Sequence, residues 1–246
     1  MPVAARRHAT LSRSVRLLQA FRVEQTDPDR FYGELAADSV QQLRDYVDLA
    51  GRTVLDVGGG PGYFADAFRG AGATYVSVEA DLGELSARSE PGPGSVLGSA
   101  LALPLTDCAV DVCYSSNVLE HVADPERMLA EMVRVTKPGG LVFCSYTLWL
   151  SFWGGHETAP WHFLGGHYAA RRYMRKYGHP PKNVYGTSMF AVSGGRVVRW
   201  AAHCADADLV TVFPRYHPWW AWWVARVPML REVASWNLAL VMTRRT

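Results

Sequence analysis

Cysteine is scarce, long apolar runs are missing and net charge is small, and each shortage excludes a class of protein. The four cysteines, Cys108, Cys113, Cys144 and Cys204, form no CxxC pair in 246 residues. A disulfide scaffold is therefore excluded, and the thiols read as reduced, mostly core, in a cytosolic protein. No segment reaches the roughly 18–20 consecutive apolar residues of a membrane span. The N-terminus also lacks a signal-peptide core. A net charge of +2 gives no global case for a nucleic-acid partner. Acid is missing locally too. Before Glu24 stand Arg6, Arg7, Arg13, Arg16 and Arg22 with no Asp or Glu. Such an acid-free start has some transit-peptide character, but a basic surface helix explains it more simply. Leu11, Val15 and Leu18 mark its one apolar face.

What is present suits a single folded domain. Hydrophobic residues are 49% and charged residues 20% of the chain, ample for a core and too few charges for disorder. Asp27-Pro28 and Asp124-Pro125 each read as a helix start, an N-cap acid with proline at the first helical position. "TVLDV" (53–57), "TYVSVE" (74–79), "AVDVCYSS" (109–116) and "LVFCSYT" (141–147) are short apolar or β-branched runs that predict buried strands. A helix is expected from about Tyr63 to Phe68, and "KPGG" (137–140) is expected to be a tight turn. The alternation predicts a doubly wound parallel α/β sheet. Rhythm is lost over 148–188, which reads as a Gly-, His- and Trp-rich cap inserted after the fifth strand. A helix near 194–204, a strand at 208–213 and a last strand near 236–242 follow. Residues 1–50 then form an N-terminal arm or lid, 51–147 the cofactor-binding core, and 189–246 the rest of the sheet.

The stretch "LDVGGGPGYF" carries the first chemistry. Read from Gly60, it matches the loose dinucleotide fingerprint, with Gly60, Gly62 and Ala65 in register. Read from Asp56, it is an acid followed by Gly58, Gly60 and Gly62. A carboxylate at the mouth of the loop repels a pyrophosphate and suits a ligand with cationic groups. A P-loop is excluded because no Lys-[Ser/Thr] follows the glycines. Glu79 ends the second strand, where a carboxylate can accept both ribose hydroxyls. Asp81 is the better cap for the next helix, which leaves Glu79 free.

"VLDVGGGPGYFA", "VEAD" and "LALPLTDCAVDVCYSSNVLEHVADPERMLAEMVRVTKPGGLVF" together resemble the class I S-adenosylmethionine (SAM)-dependent methyltransferases, particularly those acting on small molecules and lipids. The resemblance implies a Rossmann-like seven-stranded sheet with its last strand antiparallel. It also implies that Asp56, Gly58, Gly59 and Gly60 line the methionine part of SAM. Glu79 and Ala80 then lie at the ribose, Ser99, Ala100 and Leu101 by the adenine, and Asn117 beneath the cofactor. One departure stands out: Ser99 occupies a position where the family often has Asp. The "GGHE...GG...AARRY" cap resembles that of other bacterial methyltransferases. Two other classes remain open, a SAM-binding protein without catalysis and a nicotinamide-dependent oxidoreductase. Asp56 and "SSNVLEH" speak against the latter.

Methyl transfer needs mainly a nucleophile held in line, with a general base if the acceptor is a hydroxyl. The acceptor is expected to be a small or lipid-like molecule methylated at oxygen. His121, after the fourth strand, and His156, Glu157 and His167 of the cap are the candidate catalytic residues. No metal is expected. "HETAPWH" is not HExxH, and the spacings of 6 and 5 between His156, His162 and His167 do not put three ligands on one helix face. Adenine and amide methyltransferases usually carry Asn/Asp-Pro-Pro-aromatic where this chain reads "SSNV", so nucleic acid is again disfavoured. Nine tryptophans are present, four of them in "WWAWW". If helical, Trp219, Trp220, Trp222 and Trp223 share one broad face beside Arg226. Either a core layer or a membrane-facing patch, joined by the basic arm, fits that pattern. A cytoplasmic protein, peripheral at the inner face of the membrane, follows from the second option.

Overall fold

The computed structural model describes residues 7–24, 26–88 and 90–246. Arg6 of the basic arm lies outside them. Two helices come first, α1 (Leu11–Phe21) and α2 (Pro28–Arg44). They are followed by β1 (Thr53–Val57), α3 (Ala65–Gly70), β2 (Thr74–Glu79), α4 (Leu82–Leu85), β3 (Ser95–Leu97) and β4 (Val110–Ser116). A 3₁₀ turn (Leu119–His121) leads into α5 (Pro125–Val135) and β5 (Thr136–Thr147). After the cap, which holds α6 (Gly166–Tyr177), come α7 (Gly194–His203), β6 (Ala207–Pro214), a 3₁₀ segment (Trp219–Arg226), α8 (Pro228–Ala234) and β7 (Asn237–Arg244).

The strands form one sheet of seven in the order β3-β2-β1-β4-β5-β7-β6, with β7 antiparallel to both neighbours. This is the expected architecture. Period-two alternation splits each strand between two apolar layers. Leu55, Val57, Cys113, Val142, Cys144 and Leu240 pack with Met128 and Met132 of α5 and Val197 of α7. Val54, Val112, Tyr114, Phe143 and Val241 pack with Leu35 and Leu43 of α2 and Phe68 of α3. Both Asp-Pro starts are real: Asp27 and Asp124 accept the backbone N–H of Arg30 and Arg127.

Several expectations need correction. "KPGG" lies inside β5, within a bulge where Val110 pairs Thr136 but Val112 pairs Leu141. Helix α3 starts at Ala65 because Gly62 and its neighbours are spent on the loop. The cap contains a 12-residue helix, α6, whose periodicity is hidden because it buries only Gly166 and Ala169. Only Cys113 and Cys144 are buried. Helix α1 buries the reverse of its apolar stripe. Arg13, Leu17 and Ala20 point inward, whereas Leu11, Val15 and Leu18 are exposed. Arg13 enters the core because Asp38 meets its guanidinium at 2.5 and 2.7 Å. The arm is fastened at its far end by Phe21, whose ring packs on Trp153 of the cap and Trp236, at centroid distances of 5.3 and 4.8 Å. No helix among the described residues is long and apolar enough to cross a membrane.

Candidate functional site

Strand order reverses between β1 and β4, and in such sheets the ligand crevice opens at the carboxyl ends of those strands. The glycine loop follows β1 there. Gly58 has φ 77°, and a Cβ on it would stand 2.3 Å from Val118 Cγ2. A Cβ on Gly59 would stand 2.7 Å from Ser77 Cβ. Both glycines are demanded by packing on the protein side. Gly60 and Gly62 have positive φ and nothing within 4 Å of a Cβ position. The loop is thus closed toward the sheet and open toward the crevice.

Two carboxyl groups frame it. Glu79 accepts the N–H of Gly60 at 3.1 Å through one oxygen and those of Ala80 and Asp81 at 2.8 and 3.2 Å through the other. A carboxylate has about four acceptor sites, so capacity remains for a ligand hydroxyl. Asp81 caps α4 by accepting the Glu84 N–H. Asp56 is 2% exposed and accepts the Tyr75 hydroxyl at 2.7 Å. Burial pushes its carboxyl up to about 7, opposed by the Tyr75 hydrogen bond and Arg215 and reinforced by Glu79. Asp56 is therefore a buried acid behind the loop, not an exposed one at its mouth. Ser99 spends its hydroxyl on the Leu101 N–H at 3.1 Å, and Ala100 and Leu101 pack half-buried on the core.

Asn117 follows β4 with φ 58° and accepts the Asn237 amide at 2.7 Å. Beneath it lies a residue that sequence reasoning missed. Arg215 is fully buried. It donates to Ser116 and Ser145 hydroxyls at 2.6 Å each, to Ser39 at 2.7 Å and to the Tyr114 hydroxyl at 3.0 Å. It ties the ends of β4 and β5 to α2. No local pattern marked it or Asn237.

The histidines divide. His121 and His156 meet with ring centroids 5.2 Å apart. His121 Nδ1 lies 2.7 Å from the Ser188 carbonyl, so that nitrogen carries the hydrogen. His156, on a turn with φ 47°, is pushed down to about 4 by burial. Glu120 is 2% exposed and accepts the Thr147 N–H at 2.9 Å. His162 is buried elsewhere and bonds the Ser151 carbonyl at 3.1 Å. Glu157 is exposed and accepts from Asn183, and His167 is exposed against Tyr185. The structure thus gathers His121 and His156 and leaves Glu157 and His167 on the outside of the cap. Of the four tryptophans, Trp222 is core, stacked on Phe213 at 4.3 Å, while Trp219, Trp220 and Trp223 are about half exposed. The four do not act as one face: Trp222 is covered by Phe213 and the core around it, whereas the other three stay outside.

A family described as a methyltransferase domain matches residues 55–144. The chain is 55% identical to an uncharacterised methyltransferase of Mycobacterium marinum over 97% of both chains. It is likewise 55% identical to one of Mycolicibacterium gilvum over 95% of both. Among solved structures, a SAM-dependent methyltransferase of Mesorhizobium loti superposes with a TM-score of 0.58 at 18% identity, covering 87% of this chain and 98% of that one. One described as a putative SAM-dependent methyltransferase from Listeria monocytogenes gives 0.57 at 15% identity, covering 86% and 100%. These last two likenesses bear on the fold, and identity across nearly the whole length bears on the family. The protein therefore belongs to the class I SAM-dependent methyltransferases.

Proposed function

We propose that the methyl acceptor is a lipid-like molecule, modified at oxygen. The observation that carries this reading is a surface. Trp219, Trp220 and Trp223 stand exposed, and the Trp219 N–H donates to Ala9 at 2.8 Å, so the segment adjoins the start of α1. The exposed Leu11, Val15 and Leu18 continue along that helix, with Arg7, Arg16 and Arg226 exposed on the same two segments. Met229 and Val233 of α8 add further exposed apolar area. Aromatic and apolar side chains rimmed by arginine suit a bilayer interface. Full-length protein is expected to float with phosphatidylglycerol vesicles. Trp219→Ala/Trp220→Ala/Trp223→Ala should lose most of that association while keeping its melting temperature, since Trp222 is untouched. Absence of the wild type from the vesicle fraction would contradict the reading.

The cofactor fits the residues present. The crevice side of Gly60 and Gly62 is open, and two acids, Asp56 and Glu79, flank the loop. When bound, SAM supplies a sulfonium-borne methyl group, already a good electrophile. Asp56 and Gly58–Gly60 are assigned to its methionine part, Glu79 and Ala80 to the ribose, Ser99, Ala100 and Leu101 to the adenine, and Asn117 to the floor. His121 is the proton acceptor of the acceptor pocket. Its Nδ1 hydrogen is committed to Ser188 and its Nε2 carries the free lone pair. His156 is too weak a base for that role at neutral pH. Phe21, Trp153 and Trp236 pack on one another and tie the arm to the cap.

A further inference from the structure

We propose that Glu120, His121 and His156 form a binding site for one divalent cation of the zinc type. One ligand atom from each lies within 4.8 Å of the others. Small side-chain rotations bring all three onto a single ion bound at about 2.1 Å.

Independent observations point into this cluster. Glu120 Oε2 is buried and has no hydrogen-bond partner, as is His156 Nε2. An orphaned buried carboxyl oxygen forfeits its hydration without recompense, and native structures rarely leave one without a reason. Each group is also held by its other atom. Glu120 Oε1 accepts the Thr147 N–H at 2.9 Å, which aims Oε2 away from the β5 backbone. His121 donates Nδ1–H to the Ser188 carbonyl at 2.7 Å, which fixes the tautomer and leaves Nε2 its lone pair. Metal-ligating histidines characteristically donate their second nitrogen to a carbonyl or carboxylate in this way.

The donor set names the class of ion. Two imidazole nitrogens and one carboxylate oxygen favour a borderline first-row cation over Mg²⁺ or Ca²⁺, which prefer oxygen throughout. Three protein ligands leave a coordination position for an outside oxygen. Glu120 and His121 stand in the 3₁₀ turn that follows Asn117, at the carboxyl end of β4 where the proposed acceptor pocket opens. There a cation-held acceptor hydroxyl ionises at lower pH, its proton leaving to solvent. In that loaded state His121 serves as a ligand rather than as the proton acceptor. The expectation of no metal considered only the cap's own histidine spacings. It overlooked that the turn at His156 returns this residue to the loop after β4.

The site rests on the same acceptor pocket as the proposed function, but its test reads metal and not methyl transfer, so either can fail alone. Chelator-treated full-length protein is titrated with Zn²⁺, then with Co²⁺ as an optical probe. Wild type should retain one Zn²⁺ per chain through gel filtration and develop the visible bands of low-coordinate Co²⁺. Glu120→Gln and His156→Gln, each checked for native melting, should weaken Zn²⁺ binding by more than about 100-fold, beyond the roughly 10- to 100-fold that loss of a mere supporting residue costs. Glu120→Gln preserves the Thr147 contact, so it keeps the test informative if the histidine variant is unstable. Sub-stoichiometric Zn²⁺ on the wild type, or equal retention by the folded variants, would overturn the site.

Discussion

Asp56→Asn is expected to bind SAM about 10- to 100-fold more weakly while making the ligand-free protein more stable at pH 8. The first half follows from losing a charge-assisted interaction, about 1.5–3 kcal/mol. The second follows from burial. The Asp56 carboxyl is raised from 3.8 to about 7 by desolvation, against the pull of Tyr75 and Arg215 and with the push of Glu79. A carboxyl raised on folding contributes stability that is fully present below the unfolded value. That stability is lost as pH climbs through the folded value. Ionised Asp56 therefore costs the ligand-free fold up to about 4 kcal/mol above pH 7, at 1.36 kcal/mol per unit. Asparagine keeps an acceptor for the Tyr75 hydroxyl and carries no charge. Melting of the two proteins should coincide near pH 4 and diverge by pH 8, with the variant higher. Titration calorimetry with SAM at pH 8 gives the other half. A variant that melts lower at pH 8, or binds SAM unchanged, would refute the role of this acid.

Arg215→Leu is expected to lose about 3–5 kcal/mol of stability, because several buried oxygens lose a donor at about 1–3 kcal/mol for each left unsatisfied. For a chain of this size that lowers the melting temperature by about 10–15 °C. Leucine leaves the Ser145 hydroxyl and the Gln42 side-chain oxygen without the guanidinium donor, and leaves Ser39 and Ser116 with only Tyr114 and Asn117 as donors. Arg215→Lys should recover little, because one ammonium cannot reproduce a planar fork that serves four hydroxyls. Thermal melting monitored by circular dichroism checks both. A loss under about 1 kcal/mol in Arg215→Leu would mean that the network is incidental.

These two residues also mark what a sequence can and cannot disclose. The burial of Asp56 behind its glycine loop was not legible, but its place at the end of a strand before that loop was, because the pattern is local. The two Asp-Pro helix starts were legible for the same reason. Arg215 was not, because its partner Ser116 is 99 residues away and the contact exists only after β7 inserts between β5 and β6. The pairing of His121 with His156 likewise depends on how the cap folds back. Helix α1 teaches a different lesson. Its apolar stripe was read correctly from spacing, but periodicity does not say what covers the stripe. Here Asp38 draws Arg13 inward and turns Leu11, Val15 and Leu18 outward. "WWAWW" was not legible because spacing does not say what covers each ring, and here Phe213 of β6 covers Trp222 alone.

The most direct measurement is transfer of isotope-labelled methyl from SAM, with purified protein, to fractionated bacterial lipid extract and, in parallel, to water-soluble phenols. The account predicts label in an organic-phase product that carries a new O-methyl group, together with S-adenosylhomocysteine in equal amount. Label confined to the water-soluble acceptors, or SAM bound with no methyl leaving it in either set, would contradict it.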